Sequence, residues 1–183
     1  VLKYNLAQCQ RQLGNRRAAI VAYETLLKVD PHMPEYHFEA AKCYADADDV
    51  PAAIEAVKAG LELDDSLAFG WSLLGVYSER ANKLEDASHA FGEAYSLDPK
   101  SPKYALDFAY ILLLCGHSQR AREVIRNVLP QTRSQAERQA NLLAESWVKE
   151  NNIKQAIDEI ELALKEFPKS DVLARNLLAL RAK

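Results

Sequence analysis

An all-α chain of stacked helix–turn–helix hairpins is what this sequence predicts, and three observations carry the prediction. Small residues recur at Ala7, Ala41, Gly75, Ala109 and Ala144, at steps of 34, 34, 34 and 35 residues. A second small column (Ala19, Ala53, Ala87, Ala121, Ala156) and a bulky one (Tyr23, Val57, Phe91, Ile125, Ile160) repeat in register with it. Between them falls a turn column of Gly14, Asp48, Asn82, Gly116 and Asn151. These residue types tolerate the left-handed conformation that ends a helix. A small residue lets two helix backbones approach, and a large one fills the space beside the contact. Such a two-helix unit cannot hide its apolar faces alone, so copies must stack.

The clearest copy is residues 68–101. Trp71, Leu74, Gly75 and Ser78 share one helical face at i, i+3, i+4, i+7 spacing. Leu84, Ala87, Phe91 and Ala94 do the same in its second half. Asp98-Pro99 closes it, because the residue before a proline disfavours the helical conformation. The first copy, 1–33, has Leu6, Ala7 and Leu13, then Ala19, Tyr23, Leu26 and Leu27, with Asp30-Pro31 as its stop. The second, 34–67, opens with Pro34 in a first helical turn and carries Phe38, Ala41, Tyr44, Ala53, Val57 and Leu61. The fourth, 102–136, opens with Ser101-Pro102 and then runs through eight consecutive apolar residues, Phe108 to Cys115. So continuous a run puts apolar groups on every side of the helix. Pro130 predicts an early end to the second helix of that copy, and one residue is inserted there. Ser134 and Glu137 have capping-box spacing, which predicts a long helix from about 135 to 150. This irregular joint predicts a changed packing angle between the hairpins on either side. The fifth copy, 137–170, holds Ala144, Trp147, Ala156, Ile160 and Pro168. Residues 171–183, with Val172, Leu173, Leu177, Leu178 and Leu180, read as a capping helix or the first half of a further repeat.

The period, with its tryptophan, leucine-glycine, alanine, phenylalanine and proline positions, resembles the tetratricopeptide-repeat (TPR) family. Asp65 departs from that pattern, standing where the family has proline. The resemblance implies a right-handed α-solenoid of five hairpins plus a C-terminal helix, with residues 1–183 forming one array. It also implies that the first helix of each hairpin lines a concave, partner-binding groove. Carried over position by position, the groove would be lined by Tyr4, Gln8 and Arg11; Phe38 and Lys42; Phe69, Ser72 and Val76; Lys103, Leu106, Tyr110 and Leu113; and Arg138, Asn141 and Glu145. Aromatic and aliphatic members make that surface greasy enough to mark an interaction site. Chaperone-binding members of the family clamp a terminal carboxylate with lysine, asparagine and arginine. The matching places here hold Tyr4, Gln8, Glu39, Phe69 and Leu73, so that mode is not expected.

Composition narrows the rest. The chain has 183 residues, 49% of them hydrophobic, and a net charge of −3. That balance argues against nucleic-acid binding, which a related hairpin repeat performs on a basic surface. No apolar run is long enough to span a membrane. His32, His37, His89 and His117 lack metal-site spacing, and no phosphate loop or nucleophile–base pair can be assembled. Asp46-Ala47-Asp48-Asp49 lacks the glycine and glutamate of a calcium loop. Neither enzyme activity nor a cofactor nor a metal is therefore expected. Cys9, Cys43 and Cys115 read as three reduced thiols in the core, since neighbouring helices hold equivalent positions too far apart for a disulfide. Unpaired thiols favour a reducing compartment, the cytoplasm, with the bacterial envelope as alternative. The chain begins at Val1 within a helical pattern and reads as a fragment or processed product.

The expected function is a protein–protein interaction scaffold. Alternatives are a recruiting arm of a larger enzyme such as a glycosyltransferase, a bacterial envelope or pilus assembly factor, and self-association through the fourth repeat or the terminal helix.

Overall fold

The computed structural model describes residues 2–182. Among the described residues there are eleven α-helices and no strand. The chain falls into two compact units, Val1–Leu97 and Asp98–Lys183. The first holds three hairpins: α1 (Leu2–Gln12) with α2 (Arg16–Val29), α3 (Pro34–Asp46) with α4 (Val50–Leu63), and α5 (Ala68–Arg80) with α6 (Leu84–Leu97). The second holds α7 (Pro102–Leu114) with α8 (Ser118–Arg126), α9 (Arg133–Lys149) with α10 (Ile153–Glu166), and then α11 (Asp171–Arg181).

Each hairpin turns in the same way. Gly14, Asp48, Asn82, Gly116 and Asn151 all adopt positive φ, between 58° and 81°. The next residue then reaches back to a carbonyl five positions earlier. The bonds are Asn15 N–H to Gln10 (2.9 Å), Asp49 to Tyr44 (2.9 Å), Lys83 to Ser78 (2.9 Å), His117 to Leu112 (2.8 Å) and Asn152 to Trp147 (2.9 Å). This six-to-one bond satisfies a carbonyl that the ending helix would leave orphaned. One residue in the left-handed conformation per repeat therefore both stops a helix and aims the next one.

Within a hairpin, the small column meets the bulky column. A Cβ built on Gly75 would lie 2.7 Å from Cδ1 of Phe91, so only hydrogen fits there. Ala41 and Val57 are the matching pair in the second hairpin, and both are fully buried. Between hairpins a different contact operates. Phe38 of α3 lies between Gly60 of α4 and Gly70 of α5, and a Cβ on either glycine would come within 2.6 Å of its ring. The ring is only 3% exposed.

The joint between α8 and α9 departs from the regular plan. α8 has 9 residues, against 14 in α2, α4, α6 and α10. It stops at Arg126, well before Pro130. Gln139 on α9 donates its amide to the carbonyls of Ile125 (2.8 Å) and Val128 (3.2 Å), receiving two carbonyls at and beyond the end of α8. α9 is capped by Thr132, whose hydroxyl accepts from the Gln135 N–H at 3.3 Å. Gln135 in turn accepts from the Gln131 N–H at 2.8 Å. The capping box expected at Ser134 is thus displaced by two residues, and the helix begins at Arg133. Arg122 ties α8 to α9 at this joint. It is buried, with its guanidinium 3.9 Å from the centre of the Trp147 ring and 2.8 Å from Glu150.

The apolar run on α7 is accounted for by burial, since Phe108, Ala109, Ile111, Leu112 and Leu113 are all in the core. The three thiols are free, as expected, but they do not share one environment. Cys43 is buried and Cys115 is half-buried, whereas Cys9 is exposed, which corrects its assignment as a core residue. Burial pushes the Cys43 thiol up to about 11.

Two outcomes follow from this packing. Gly70→Ala and Gly75→Ala each lower stability by about 1–3 kcal/mol through overpacking, despite the ~1 kcal/mol that alanine gains over glycine in helix propensity. Urea unfolding measures this, and an unchanged midpoint contradicts the contact. At pH 8 an excess of maleimide modifies Cys9 readily in the native protein while Cys43 stays protected until unfolding, as read by peptide mass spectrometry.

Candidate functional site

The sequence-predicted positions fall into four columns of the repeat, and the structure separates them. One column runs Phe38, Ser72, Leu106 and is buried in all three copies. Leu113, in another, is also buried. Phe38, Ser72, Leu106 and Leu113 therefore pack inside the chain and line no open surface. For Phe38 the physical reason is the pair of glycines that accept its ring. Two other columns remain open to solvent. Glu35, Phe69 and Lys103 are exposed, and Arg138 is half-buried. Gln8, Lys42, Val76, Tyr110 and Glu145 are half-buried along their helices. Tyr4, Arg11 and Asn141 are half-buried as well.

In the first unit these open positions join into one string across α1, α3 and α5. Arg11 donates from Nε to Asp46 at 2.8 Å and lies 3.9 Å from Glu39. Lys42 donates to the other Glu39 oxygen at 2.6 Å and sits 4.6 Å from the centre of the Phe69 ring. Phe69 meets Phe38 edge to face, with centroids 6.2 Å apart. Arg80 donates to the Ala45 carbonyl at 3.3 Å, near the C-terminal end of α3, and to Asp48 at 3.1 Å. That placement suits the negative end of a helix. At the other end Gln8 donates to the Tyr4 hydroxyl at 3.0 Å, and Tyr4 leans on Tyr36. Burial, foremost, and the nearby Glu39 charge raise the Tyr4 phenol above its ordinary value. Glu39 is the hub of this string. The sequence offered no sign of that role, because only its column, not its partners, could be read.

The second unit repeats the arrangement with other residues. Arg138 on α9 pairs with Asp107 on α7 at 2.8 Å, and Lys103 pairs with the same carboxylate at 3.1 Å. Asn176 on α11 donates to Asn141 on α9 at 2.8 Å. Arg11, Arg138 and Asn141 thus link successive first helices, whereas Gln8 and Lys103 pair within their own. Glu159 on α10 accepts from the Trp147 indole of α9 at 3.3 Å. The shortened α8 also leaves a cleft of about 710 Å3, lined by Ala136, Ala140 and Leu143 of α9 and Leu162, Ala163 and Phe167 of α10 or its end.

Among the described residues no group of three or more His, Cys, Asp or Glu is arranged to hold a metal. Among the described residues no helix is long and apolar enough to cross a membrane.

Comparison with known proteins agrees with the hairpin architecture. Residues 44–174 match the family described as the cytochrome c-type biogenesis protein H TPR domain, and residues 4–68 match the general tetratricopeptide repeat. The chain belongs to the tetratricopeptide-repeat family, in the group so described. No curated protein matches it. Among solved structures, a MamA protein aligns with 92% of this chain and 91% of its own at a TM-score of 0.80 and 22% identity. YrrB, described as a TPR protein with an unusual peptide-binding site, aligns with 96% of this chain and 90% of its own at 0.79 and 15%. PilF of Pseudomonas aeruginosa aligns with 99% and 90% at 0.72 and 20%. At these identities the likeness establishes the fold, all-α and of the TPR solenoid kind.

The two kinds of ion pair should differ in weight. Asp46→Asn changes stability by no more than about 1 kcal/mol, because the Arg11 pair is half in water. Arg122→Ala costs about 2 kcal/mol or more, because it removes a desolvated ring contact and hydrogen bonds together. Urea unfolding of both variants decides it, and equal effects would contradict the assignment.

Proposed function

We propose that this chain is a non-catalytic docking scaffold that holds a segment of a partner protein against the open columns of its first helices. Residues 1–183 act as a single array in this reading. One observation carries the proposal. On the first unit, Phe69 is 43% exposed, with Val76 half-buried further along the same helix, while Arg11, Lys42, Glu39 and Asp46 around them are paired among themselves. A face with its charges already neutralised rewards apolar contact. Phe69 can serve as the aromatic anchor that such interfaces use. Tyr110, Lys103, Arg138 and Glu145 are the corresponding positions of the second unit. Phe38, Ser72, Leu106 and Leu113 support the face from inside and make no contact with the partner.

The family description supports a narrower reading, in which the partner is a component of cytochrome c-type biogenesis. The peptide-binding site in the name of YrrB supports a peptide as the bound form.

Affinity capture with the intact chain, repeated with Phe69→Ala and with Val76→Asp, tests the proposal. Partners retained by the parent chain should fall by about ten-fold with either variant, the loss typical of a removed anchor. Circular dichroism and the unfolding midpoint should confirm that both variants stay folded. Undiminished capture by folded variants would refute the assignment of this face.

A further inference from the structure

We propose that the cleft between α9 and α10 is a seat for a tryptophan side chain on an acidic segment of a partner protein, separate from the first-helix face described above. The repeat itself shows what such a place holds. Trp71 stands four residues before the small residue Gly75, and Ala140 stands four before the equivalent Ala144. In the third hairpin the Trp71 indole reaches from the loop that enters the hairpin to its second helix. The indole N–H donates to the Asp65 carbonyl at 2.7 Å. The ring meets His89 of α6 edge to face, with centroids 5.8 Å apart.

The fifth hairpin has the same three walls but only a methyl group at this position. Pro130 of the entering loop, Ala140 and Leu143 of α9, Leu162 and Ala163 of α10, and Phe167 beyond it line about 710 Å3. That volume takes an indole together with part of its backbone. Two features open the cleft, the alanine at 140 and the early stop of α8 at Arg126, and both lie well inside the sequence. Apolar side chains are left open around it. Leu162 is 63% exposed. Leu129, next to Pro130, is 83% exposed, although its equivalents Leu27, Leu61, Tyr95 and Leu164 are buried or half-buried.

The occupant is not a second copy of this chain. The sequence has two tryptophans, and both are engaged: Trp71 as above, and Trp147 with Arg122 and Glu159. Charge sets what flanks the arriving indole. Residues 126–136, from the end of α8 into α9, include Arg126 and Arg133 and no aspartate or glutamate. Lys165 stands on the opposite wall, exposed. Of the nearby carboxylates, Glu137 is held by Arg133 at 2.8 Å and Glu159 by the Trp147 indole, which leaves Glu166. The open charge is mainly positive, so carboxylates beside the tryptophan complement it.

The test uses the full chain and a short acetylated, amidated peptide with one tryptophan between glutamates, titrated by NMR. Controls replace the tryptophan with alanine, or the glutamates with lysine. The glutamate–tryptophan peptide should shift the amide resonances of Ala140, Leu162, Ala163 and Phe167 saturably, with each control binding about ten-fold more weakly or not at all. Leu162→Ser, at an exposed position that keeps the fold, should weaken binding about ten-fold. Phe69→Ala should leave it unchanged, which separates this seat from the proposed docking face. Ala140→Trp should fill the cleft from within, so that peptide binding is lost while the urea midpoint holds or rises. Absence of binding, equal binding of either control, free tryptophan binding as tightly as the peptide, or indifference to Leu162→Ser overturns the proposal. So does a marked fall in the midpoint of Ala140→Trp, since the cleft would then not be the counterpart of the Trp71 position.

Discussion

The contact on which this architecture depends is a hydrogen atom against a benzene ring. Where Gly75 faces Phe91, nothing larger than hydrogen fits on α5, and nothing much smaller than the ring would fill α6. The other hairpins set alanine in the small column and tyrosine, valine or isoleucine in the bulky one, all of them buried. Close approach fixes the helix pair, and the positive-φ residue that follows fixes the direction of return. A chain with these two devices repeated has little freedom left in how it folds locally. Its remaining variation lies on surfaces that neither device touches.

In the proposed docking role those surfaces meet the partner, and their charge pairing bears on how. A binding face rich in unpaired arginine and glutamate would attract many partners through long-range forces that salt screens. Here Arg11, Lys42, Glu39 and Asp46 form a closed set, and Arg138 and Lys103 share Asp107. Side chains tied in this way pay little further entropy when a partner arrives. They also leave selection to shape and apolar contact. The Arg11 and Arg138 pairs also join successive first helices, so under the docking proposal stability and recognition draw on some of the same bonds.

Much of the fold could be read from the sequence because its signals are local and repeated. The turn column named all five residues that adopt positive φ, since only a few residue types accept that conformation. The face was harder. Phe38 and Phe69 are the same amino acid on equivalent helices, yet one is buried and the other open. The difference lies in Gly60 and Gly70, residues 22 and 32 positions beyond Phe38, which make room for one ring and not the other. No periodicity within a single helix contains that information. The cap of α9 was misplaced for a related reason. Ser134 and Thr132 both begin plausible boxes, and the choice rests on where α8 ends, which Gln139 decides by taking the carbonyls of Ile125 and Val128.

Comparison of columns recovers part of what single helices hide. Leu6 and Cys9 are exposed on α1, whereas Ala40 and Phe108 in the column of Leu6, and Cys43, Tyr77, Ile111, Ser146 and Leu180 in that of Cys9, are buried, so these are packing columns. Val21 on α2 differs, because its equivalents Glu55, His89 and Glu123 are exposed in every case and define no packing column. Exposure of an apolar residue alone says little; exposure in a column that the rest of the chain buries says which kind of element belongs there.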